Sequence, residues 1–340
     1  MDSVLRSIKK NVNLGFVLLF VALTLVPILV TDNYLLQSFI IVLFYAYLAS
    51  SWNIIGGFAG HMSMGHAAYV GIGAYVSTVL FMQFGVTPWF GMIAGGLVSA
   101  TLGVIVGFPT FRLRGVYYTL STMAFVNIIR LYFLANDTIF GLTTGGPLGI
   151  KVRWGGGSLI DMQFLDKRNY AFIIIGMLAV VMLVSAHIKK SRTGYYLAAI
   201  TTNQHAAASL GVNTTYYKLK AQFLSCFFTA IGGAFYAQLI LFIDPSRLMG
   251  FELSLEIAVI ALVGGASTVF GPVLGAFILV PINEWCRIVL GTRMSGLAMV
   301  IYSLVLMCVV YYLNRGLLDG IKRLFPLVSK ILRIQGGEKT

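Results

Sequence analysis

Residues 35–55 read LLQSFIIVLFYAYLASSWNII and contain no charged side chain. A helix needs about 20 mostly apolar residues to cross the hydrocarbon core of a bilayer, and this run is long enough. The next residues, 56–75, read GGFAGHMSMGHAAYVGIGAY and lead into another apolar stretch through closely spaced glycines. This pattern predicts membrane-spanning helices, some of which are broken at glycine-rich stretches.

Apolar runs of similar length recur along the whole chain. They lie at about 14–30, 35–55, 66–84, 88–107, 115–135, 170–187, 217–242, 253–270, 272–290 and 294–313. The runs exceed the length of barrel strands and do not alternate with period two. We therefore predict an all-α polytopic membrane protein with nine or ten transmembrane segments, one or two of them half-helices. No A-x-A cleavage pattern follows the first run, so it is predicted to stay as a membrane anchor.

The composition excludes a water-soluble protein. Of 340 residues, 10% are charged and 58% are apolar, whereas an average soluble domain has about 25% charged and about 45–50% apolar residues. Such a chain lacks the polar residues to cover a globular surface, which excludes a cytosolic enzyme and a disordered chain. The net charge of +13 does not indicate a nucleic-acid partner, because the basic residues lie in short pieces between apolar runs.

The basic residues predict the orientation. Most of them lie at the N-terminus, in the 107–114 turn, in 188–220 and in the tail, 314–340, and loops rich in Lys and Arg stay in the cytoplasm. If the number of full crossings is even, both termini are cytoplasmic, and the glycine-rich loop at about 136–169 is then external. The transmembrane domain covers 1–313. The basic tail is either an amphipathic segment on the anionic inner leaflet or a frayed end.

The chain carries no recognisable catalytic motif. The dipeptide Gly-Lys does not occur, so the phosphate-binding loop of an ATPase is missing. Motifs of serine hydrolases and zinc proteases are missing as well. We predict no enzyme activity, no catalytic residue and no cofactor on this chain. If ATP drives the protein, ATP and Mg²⁺ bind to a different subunit.

No metal site is predicted either. Cys226, Cys286 and Cys308 lie in apolar stretches without ligand spacing, which is typical of cysteines in helix contacts. His61 and His66 are five positions apart, so they do not share one helical face. A histidine that caps a helix or forms hydrogen bonds is the simpler interpretation.

Few charges lie inside the apolar runs: Arg130, Glu252, Glu256, Glu284 and Arg287. Embedded charges mark ion pathways in gradient-driven carriers. The positions here lie near the ends of the runs and are interpreted as solvated or paired surface charges. The pattern argues against a self-powered carrier without excluding one.

The glycines offer a candidate translocation path. Glycine lets a helix break where the freed backbone lines a cavity, or lets two helices approach closely, and the sequence leaves both interpretations open. The second glycine-rich stretch, 264–276, reads GGASTVFGPVLGA. The candidate residues are Gly57, Gly60, Ser63, Gly65, His66 and Gly71 in the first stretch, and Gly264, Gly265, Gly271 and Gly275 in the second.

The longest polar piece that is predicted inside, 189–220, reads KKSRTGYYLAAITTNQHAAASLGVNTTYYKLK. Residues 198–210 favour a helix that Gly211 ends. A short helix on a cytoplasmic surface can dock a partner in a groove. An ordinary connecting loop is the alternative.

Four motifs, in order, resemble the permeases of branched-chain amino acid ABC importers. They are NIIGGFAGHMSMGHAAYVGIGAY (53–75), GLTTGGPLGI (141–150), SRTGYYLAAITTNQHAAASLGVN (191–213) and GGASTVFGPVLGAF (264–277). The resemblance covers about 50–320. The length and the GLTTGGPLGI loop fit the longer, M-type subunit of that family best.

The resemblance implies a coupling helix that sits on the ATPase subunit. It places the family's EAA…G motif within about 189–216, at Asn203, Gln204, Ala206, Ala207 and Gly211. The chain departs from the usual pattern. Thr201 stands where the family commonly has an arginine. Thr202, Gln204 and Ala208 stand where the family commonly has acidic residues, and His61 stands where it commonly has a glutamine. The docking surface is therefore less charged than is usual in the family.

The resemblance also implies the partners and the substrate. The partners are a second, H-type permease in a heterodimer, two ATP-binding subunits and a periplasmic amino-acid-binding protein. The assembly would lie in the inner membrane of a prokaryotic cell and import leucine, isoleucine or valine. Sister systems that carry urea, short amides or other amino acids remain alternatives, as does a gradient-driven carrier.

Overall fold

The computed structural model describes residues 16–290, apart from Val17, Arg114 and Phe140, together with Met307. Within these residues, twelve α-helices and four two-residue strands form the regular structure, together with a π-helical turn and one 3₁₀ turn. The helices are α1 Leu18–Leu29, α2 Asn33–Asn53, α3 His66–Phe84, α4 Pro88–Thr110, α5 Val116–Ala135, α6 Lys167–Lys190, α7 Arg192–Thr202, α8 Gln204–Ser209, α9 Thr214–Ile240, α10 Pro245–Leu248, α11 Phe251–Gly265 and α12 Gly271–Leu290.

Within the described part of the chain, seven helical segments are long and apolar enough to cross a membrane. They are Asn33–Phe58, His66–Phe84, Pro88–Thr110, Val116–Ala135, Lys167–Lys190, Thr214–Ile240 and Pro245–Gly265. Two shorter apolar helices, Leu18–Leu29 and Gly271–Cys286, accompany them. The predominantly helical architecture is confirmed, whereas the predicted count of nine or ten segments is not. The predicted segment 294–313 and the tail 314–340 lie outside the described residues.

Local side-chain chemistry fixes several helix ends. Asp32, Asp166 and Asn213 stand before α2, α6 and α9, and each side chain accepts a hydrogen bond from a backbone N–H of the first turn. Such caps satisfy donors that the helix itself leaves unpaired. Gly85 ends α3 with φ 63°, a left-handed conformation that glycine adopts without steric cost.

The bundle packs tightly where small residues face each other. A Cβ at Gly73 would overlap the backbone of Ala230, and a Cβ at Gly233 would overlap the backbone of Val70. These close approaches join α3 to α9, while α4 covers both helices. Helix α2 is largely buried and packs against α6, α9, α11 and α12. Small residues at helix contacts bring backbones together, as is typical in membranes.

The bundle has two chemically different ends. The first, here called the basic end, contains the α2–α3, α4–α5 and α11–α12 connections and helices α7 and α8, with Arg112, Lys189, Lys190, Arg192, Lys218 and Lys220. The second, here called the loop end, carries the long 136–166 connection between α5 and α6.

Short strands order the loop end. Strand β1 (Thr138–Ile139) pairs antiparallel with β2 (Leu142–Thr143). Strand β3 (Ile150–Lys151) pairs antiparallel with β4 (Phe242–Ile243), which links the 136–166 connection to the residues after α9. The sequence analysis predicted no strands, because two-residue pairings depend on partners distant in the chain.

Candidate functional site

The predicted coupling segment forms two helices. The sequence analysis predicted one helix over 198–210, and this is wrong, because α7 ends at Thr202 and α8 begins at Gln204. Asn203 lies between them with φ −155° and ψ 104°. Its side chain accepts hydrogen bonds from the backbone N–H groups of His205 (3.0 Å) and Ala206 (3.1 Å). An asparagine at this position favours the start of a new helix over continuation of the old one.

Helix α8 has one buried and one exposed face. Ala207 is 3% exposed, whereas Ala206 is exposed. Gly211 follows with φ 84°, and its N–H donates to the carbonyl of Ala208 (2.9 Å). The prediction that Gly211 ends the helical segment is confirmed by this left-handed conformation.

Large apolar side chains are exposed on and beside this segment. Leu210 is 86% exposed, Tyr195 is 70% exposed and Tyr216 is 57% exposed. These three side chains are here called the exposed patch. They lie at the basic end, where a protein partner can cover them.

A buried lysine fixes α8 to the bundle. Lys218, in the second turn of α9, is 1% exposed, and its Nζ donates to Oε1 of Gln204 (2.7 Å). The same Nζ lies 5.7 Å from the centre of the Phe111 ring. An ammonium over an aromatic face is a favourable contact. Lys218 therefore connects α8 with α9 and with the α4–α5 turn.

An aromatic cluster lies beside this lysine. The ring of His61 contacts Phe111 (5.2 Å between centres) and Tyr118 (5.1 Å) edge-on, and the latter two stack at 5.6 Å. Burial and the positive charge of Lys218 lower the pKa of His61 to about 4, although its hydrogen bond with the Ala59 carbonyl opposes this shift. His61 is therefore neutral near neutral pH.

A cavity of about 560 Å³ opens next to the cluster. It brings the first glycine-rich stretch, at Gly60 and His61, together with α5, at Tyr118 and Thr119, and with Gln204 of α8. Gln204, which anchors the coupling segment, thus lines the same cavity as Gly60 of the candidate path.

The two glycine-rich stretches contact each other at the basic end. The Asn53 side chain donates to the carbonyl of Thr268 (2.7 Å) and accepts from the N–H of Ser267 (3.0 Å). The Ser267 hydroxyl donates to the carbonyl of Gly57 (2.6 Å). We call these contacts the seam. At Gly57 a Cβ would overlap the Asn53 side chain, so glycine permits the close approach.

The other candidate path glycines occupy close packing positions. Gly264, Gly271 and Gly275 bring the backbones of α11 and α12 together. Gly265 ends α11 with φ 121°, and Gly71 faces the side chain of Met249. These contacts account for close helix packing. A role in translocation stays a prediction for all of them.

Around the first stretch, the helices end and restart. A π-helical turn, Ile54–Phe58, extends α2, and α3 starts at His66 after Gly65. Gly60 has φ 68°, and a Cβ there would lie 2.7 Å from Cγ2 of Thr201 in α7. The Ser63 carbonyl accepts a hydrogen bond from Nε1 of Trp52 (2.7 Å). The first glycine-rich stretch therefore touches α7 directly.

His66 forms a buried hydrogen bond, which confirms the simpler interpretation of this residue. Its Nε2 lies 2.8 Å from the Ser225 hydroxyl, which itself donates to the carbonyl of Ser51 (2.7 Å). Because the hydroxyl proton is used there, Nε2–H of His66 must be the donor. His66 thereby joins α3 to α9 and α2.

Sequence reasoning missed the contacts of three polar residues. Asn53 was part of an apolar run, and Lys218 was counted only as a loop cation. Glu256 was predicted to be a solvated or paired surface charge, but it is half-buried in a spanning segment and accepts a hydrogen bond from Asn283 Nδ2 (2.9 Å). The available signal was the presence of a polar side chain in or next to an apolar run.

The chain is similar to several transport proteins. It is 29% identical over 72% of its length to the high-affinity branched-chain amino acid transport system permease protein LivM of Salmonella typhimurium. For the Escherichia coli protein of the same name, the identity is 28% over the same share. The chain spans 61% of the length of these two relatives.

Other relatives have different names. The autoinducer 2 import system permease protein LsrC of Yersinia pseudotuberculosis is 26% identical over 57% of this chain and 55% of its own length. The nucleoside ABC transporter permease protein NupC of Lactococcus lactis is 26% identical over 53% of this chain and 60% of its own length.

A family model described as "Branched-chain amino acid transport system / permease component" matches residues 31–310 of the 340. The match begins just before α2 and includes all seven helical segments of spanning length. The description of the family names a permease component of a transport system. The chain therefore belongs to this family of ABC-type permeases and is a multi-pass protein of the bacterial inner membrane.

Proposed function

We propose that this chain is the M-type permease subunit of an ABC importer that moves branched-chain amino acids into the cytoplasm. The observation that carries the proposal is the exposed patch on a segment that is firmly attached to the bundle. Leu210 is 86% exposed, while Lys218 and Gln204 fix the start of α8 from inside. A rigid surface with exposed apolar side chains suits docking of a second protein.

In the proposed assembly, the basic end faces the cytoplasm and the exposed patch contacts one of two ATP-binding subunits. ATP and Mg²⁺ bind to those subunits. A second, H-type permease completes the membrane part, and a periplasmic binding protein delivers the amino acid to the loop end. The family's need for separate ATPase and permease subunits supports this arrangement.

Movement of the ATP-binding subunits would reach the candidate path through two contacts. In one, the Thr201 hydroxyl of α7, which donates to the carbonyl of Leu197 (2.9 Å), also lies 3.3 Å from the carbonyl of Phe58. In the other, Gln204 of α8 binds Lys218 and lines the cavity next to Gly60. Tightly packed interfaces switch between arrangements rather than deform continuously. A shift of α7 and α8 would therefore open or close the first glycine-rich stretch.

The substrate assignment rests on the relatives. The two LivM proteins match a larger share of the chain, and at higher identity, than LsrC and NupC. The decisive measurement is ATP-driven uptake by the purified assembly in liposomes, with labelled leucine, urea and a nucleoside offered separately. We expect leucine uptake that needs ATP and the binding protein. Leucine uptake by this chain alone, without an ATPase, would instead indicate a gradient-driven carrier.

The docking surface is tested by Leu210→Glu, with Leu165→Glu as the matched control. Leu165 is 88% exposed but lies in the connection at the loop end. A charge at Leu210 should reduce co-purification of the ATP-binding subunits and uncouple ATP hydrolysis from uptake. The control should leave co-purification unchanged. Equal co-purification of both variants would contradict the docking surface.

A further inference from the structure

A second cavity, of about 430 Å³, opens towards the loop end, away from the coupling segment. Phe44 and Tyr45 of α2 and Tyr236 of α9 line one part of it, and α10 and the first turns of α11 line the other. Its volume lies in the range of about 300–1,000 Å³ that is typical of small-molecule sites. The cavity lies beside the short break between α10 and α11, which interrupts the spanning segment Pro245–Gly265.

Charges of both signs converge on this cavity. Arg247 of α10 lines it together with Glu252 and Glu256 of α11. Arg247 and Glu252 are exposed, whereas Glu256 is half-buried. Glu256 lies five positions into α11, which places it about 7.5 Å along the helix from its start. One cation and two carboxylates around one opening can bind a molecule that itself carries both charges.

The carboxylate of Glu256 is held in position by neighbouring helices. Nδ2 of Asn283 in α12 donates to its Oε1 (2.9 Å), and Tyr45 of α2 lines the same cavity. A carboxylate inside a membrane-spanning segment is costly and is by default a functional residue. Helix α11, which carries Glu256, and helix α12, which binds it, therefore position one acidic group at the wall of the cavity.

Aromatic side chains form the apolar wall. The rings of Phe44 and Tyr236 pack with their centres 5.1 Å apart, and Phe44 is 2% exposed. Leu248 and Leu253 also line the cavity. Apolar walls with a few convergent polar groups are the usual make-up of a small-molecule site.

We propose that this cavity binds a zwitterionic aliphatic amino acid as it enters the permease from the loop end. Its ammonium group pairs with Glu256 and Glu252, its carboxylate pairs with Arg247, and its side chain packs against Phe44 and Tyr236. The inference rests on the proposed function, because it names the site at which the transported amino acid contacts this chain.

The test uses Ser246→Cys, since Ser246 is exposed and lines the cavity. A small thiol reagent is applied to the assembled transporter without the binding protein, and the rate of modification is measured with and without leucine. Cys226 and Cys286 are buried, and labelling of the parent chain is subtracted to remove the signal of the native cysteines. Leucine should slow the modification, and leucinamide, which lacks the carboxylate, should not.

Charge variants then test which side chains bind the charged groups of leucine. Arg247→Gln and Glu256→Gln, each combined with the cysteine, should weaken protection by leucine on the order of tenfold, because each removes a charge-assisted hydrogen bond. Glu256→Asp keeps the charge and should restore part of the protection. Arg153→Gln is the control, since Arg153 is an exposed arginine of the loop end outside the lining of this cavity. Co-purification with the partner subunits identifies any variant that fails to fold.

The outcomes separate this inference from the proposed function. Leucine uptake by the unmodified transporter without protection of the cysteine would overturn the site and leave the function intact. Protection by another zwitterionic amino acid, with no leucine uptake, would support the site and remove the leucine assignment. Protection that survives both charge variants, or protection by urea alone, would overturn the site.

Discussion

The hydrogen bond between Lys218 and Gln204 allows a quantitative prediction. Its donor is 1% exposed and its N···O distance is 2.7 Å. A hydrogen bond that involves a charged group contributes roughly 1.5–3 kcal/mol to stability. Lys218 keeps its contact with the Phe111 ring when Gln204 is changed. Gln204→Leu nevertheless leaves the buried ammonium without this acceptor, so we expect it to cost an amount within this range.

Hydrogen exchange of the α8 backbone is the suitable assay, because it reports local opening free energies. A cost of roughly 1.5–3 kcal/mol corresponds to an approximately 10- to 100-fold increase in exchange. Lys218→Met should increase exchange of α8 by a similar factor. The double variant should add little, since the two residues share one interaction.

A neighbouring lysine provides the control. Lys220 lies on the exposed surface, and its Nζ is 3.4 Å from the Thr193 hydroxyl. Lys220→Met should leave the exchange of α8 unchanged, because exposed contacts contribute little. If the effects of the two single variants simply add in the double variant, or if α8 exchanges normally in both, the anchoring argument is refuted.

Three further predictions concern packing, pH and the seam. Gly233→Ala forces a Cβ into the Val70 carbonyl and should destabilise the fold by roughly 1–3 kcal/mol. At Gly176 an added Cβ would meet no neighbouring atom within 4 Å among the described residues, so Gly176→Ala should stabilise α6 by about 0.5–1 kcal/mol. Equal melting temperatures of the two variants would contradict this. His61 has an ordinary pKa of 6.5 when unfolded and about 4 when folded, so the unfolded chain binds the proton first and stability falls as the pH drops through this window. The melting temperature of His61→Gln should therefore fall less than that of the parent protein between about pH 7 and about pH 5. Parallel curves of melting temperature against pH for the two proteins would refute this. Asn53→Leu removes two hydrogen bonds of the seam, each worth about 0.5–1.5 kcal/mol. It should increase the hydrogen exchange of the backbone that connects α11 and α12 and leave the hydrogen exchange of the loop end unchanged. Unchanged hydrogen exchange of this connection would show that the seam does not hold these helices.

The sequence predicts most spanning helices because each one is encoded locally. An uncharged run such as 35–55 must be helical in a bilayer, since no water satisfies its backbone groups. The observed segment, Asn33–Phe58, extends only a few residues beyond that run at either end. The glycine-rich stretches were also recognised, because small residues in clusters are visible without any knowledge of neighbours.

The candidate site was predicted only in outline. Ala206, Ala207 and Gly211 were located through a family resemblance, but the break at Asn203 was missed. A side-chain cap competes with helix continuation, and the apolar pattern alone does not reveal which of them prevails. The translocation role of the glycines is still a prediction, because close packing accounts equally well for their positions.

The sequence by itself determined that this protein lies in a membrane, that it is helical and that its basic connections collect in a few places. Tertiary structure decided which polar side chains meet. Asn53 and Thr268 are 215 positions apart, and Asn283 is 27 positions from Glu256. Membrane insertion follows from the summed transfer energy of neighbouring residues, whereas a hydrogen bond depends on the positions of two atoms, which only the packed helices fix.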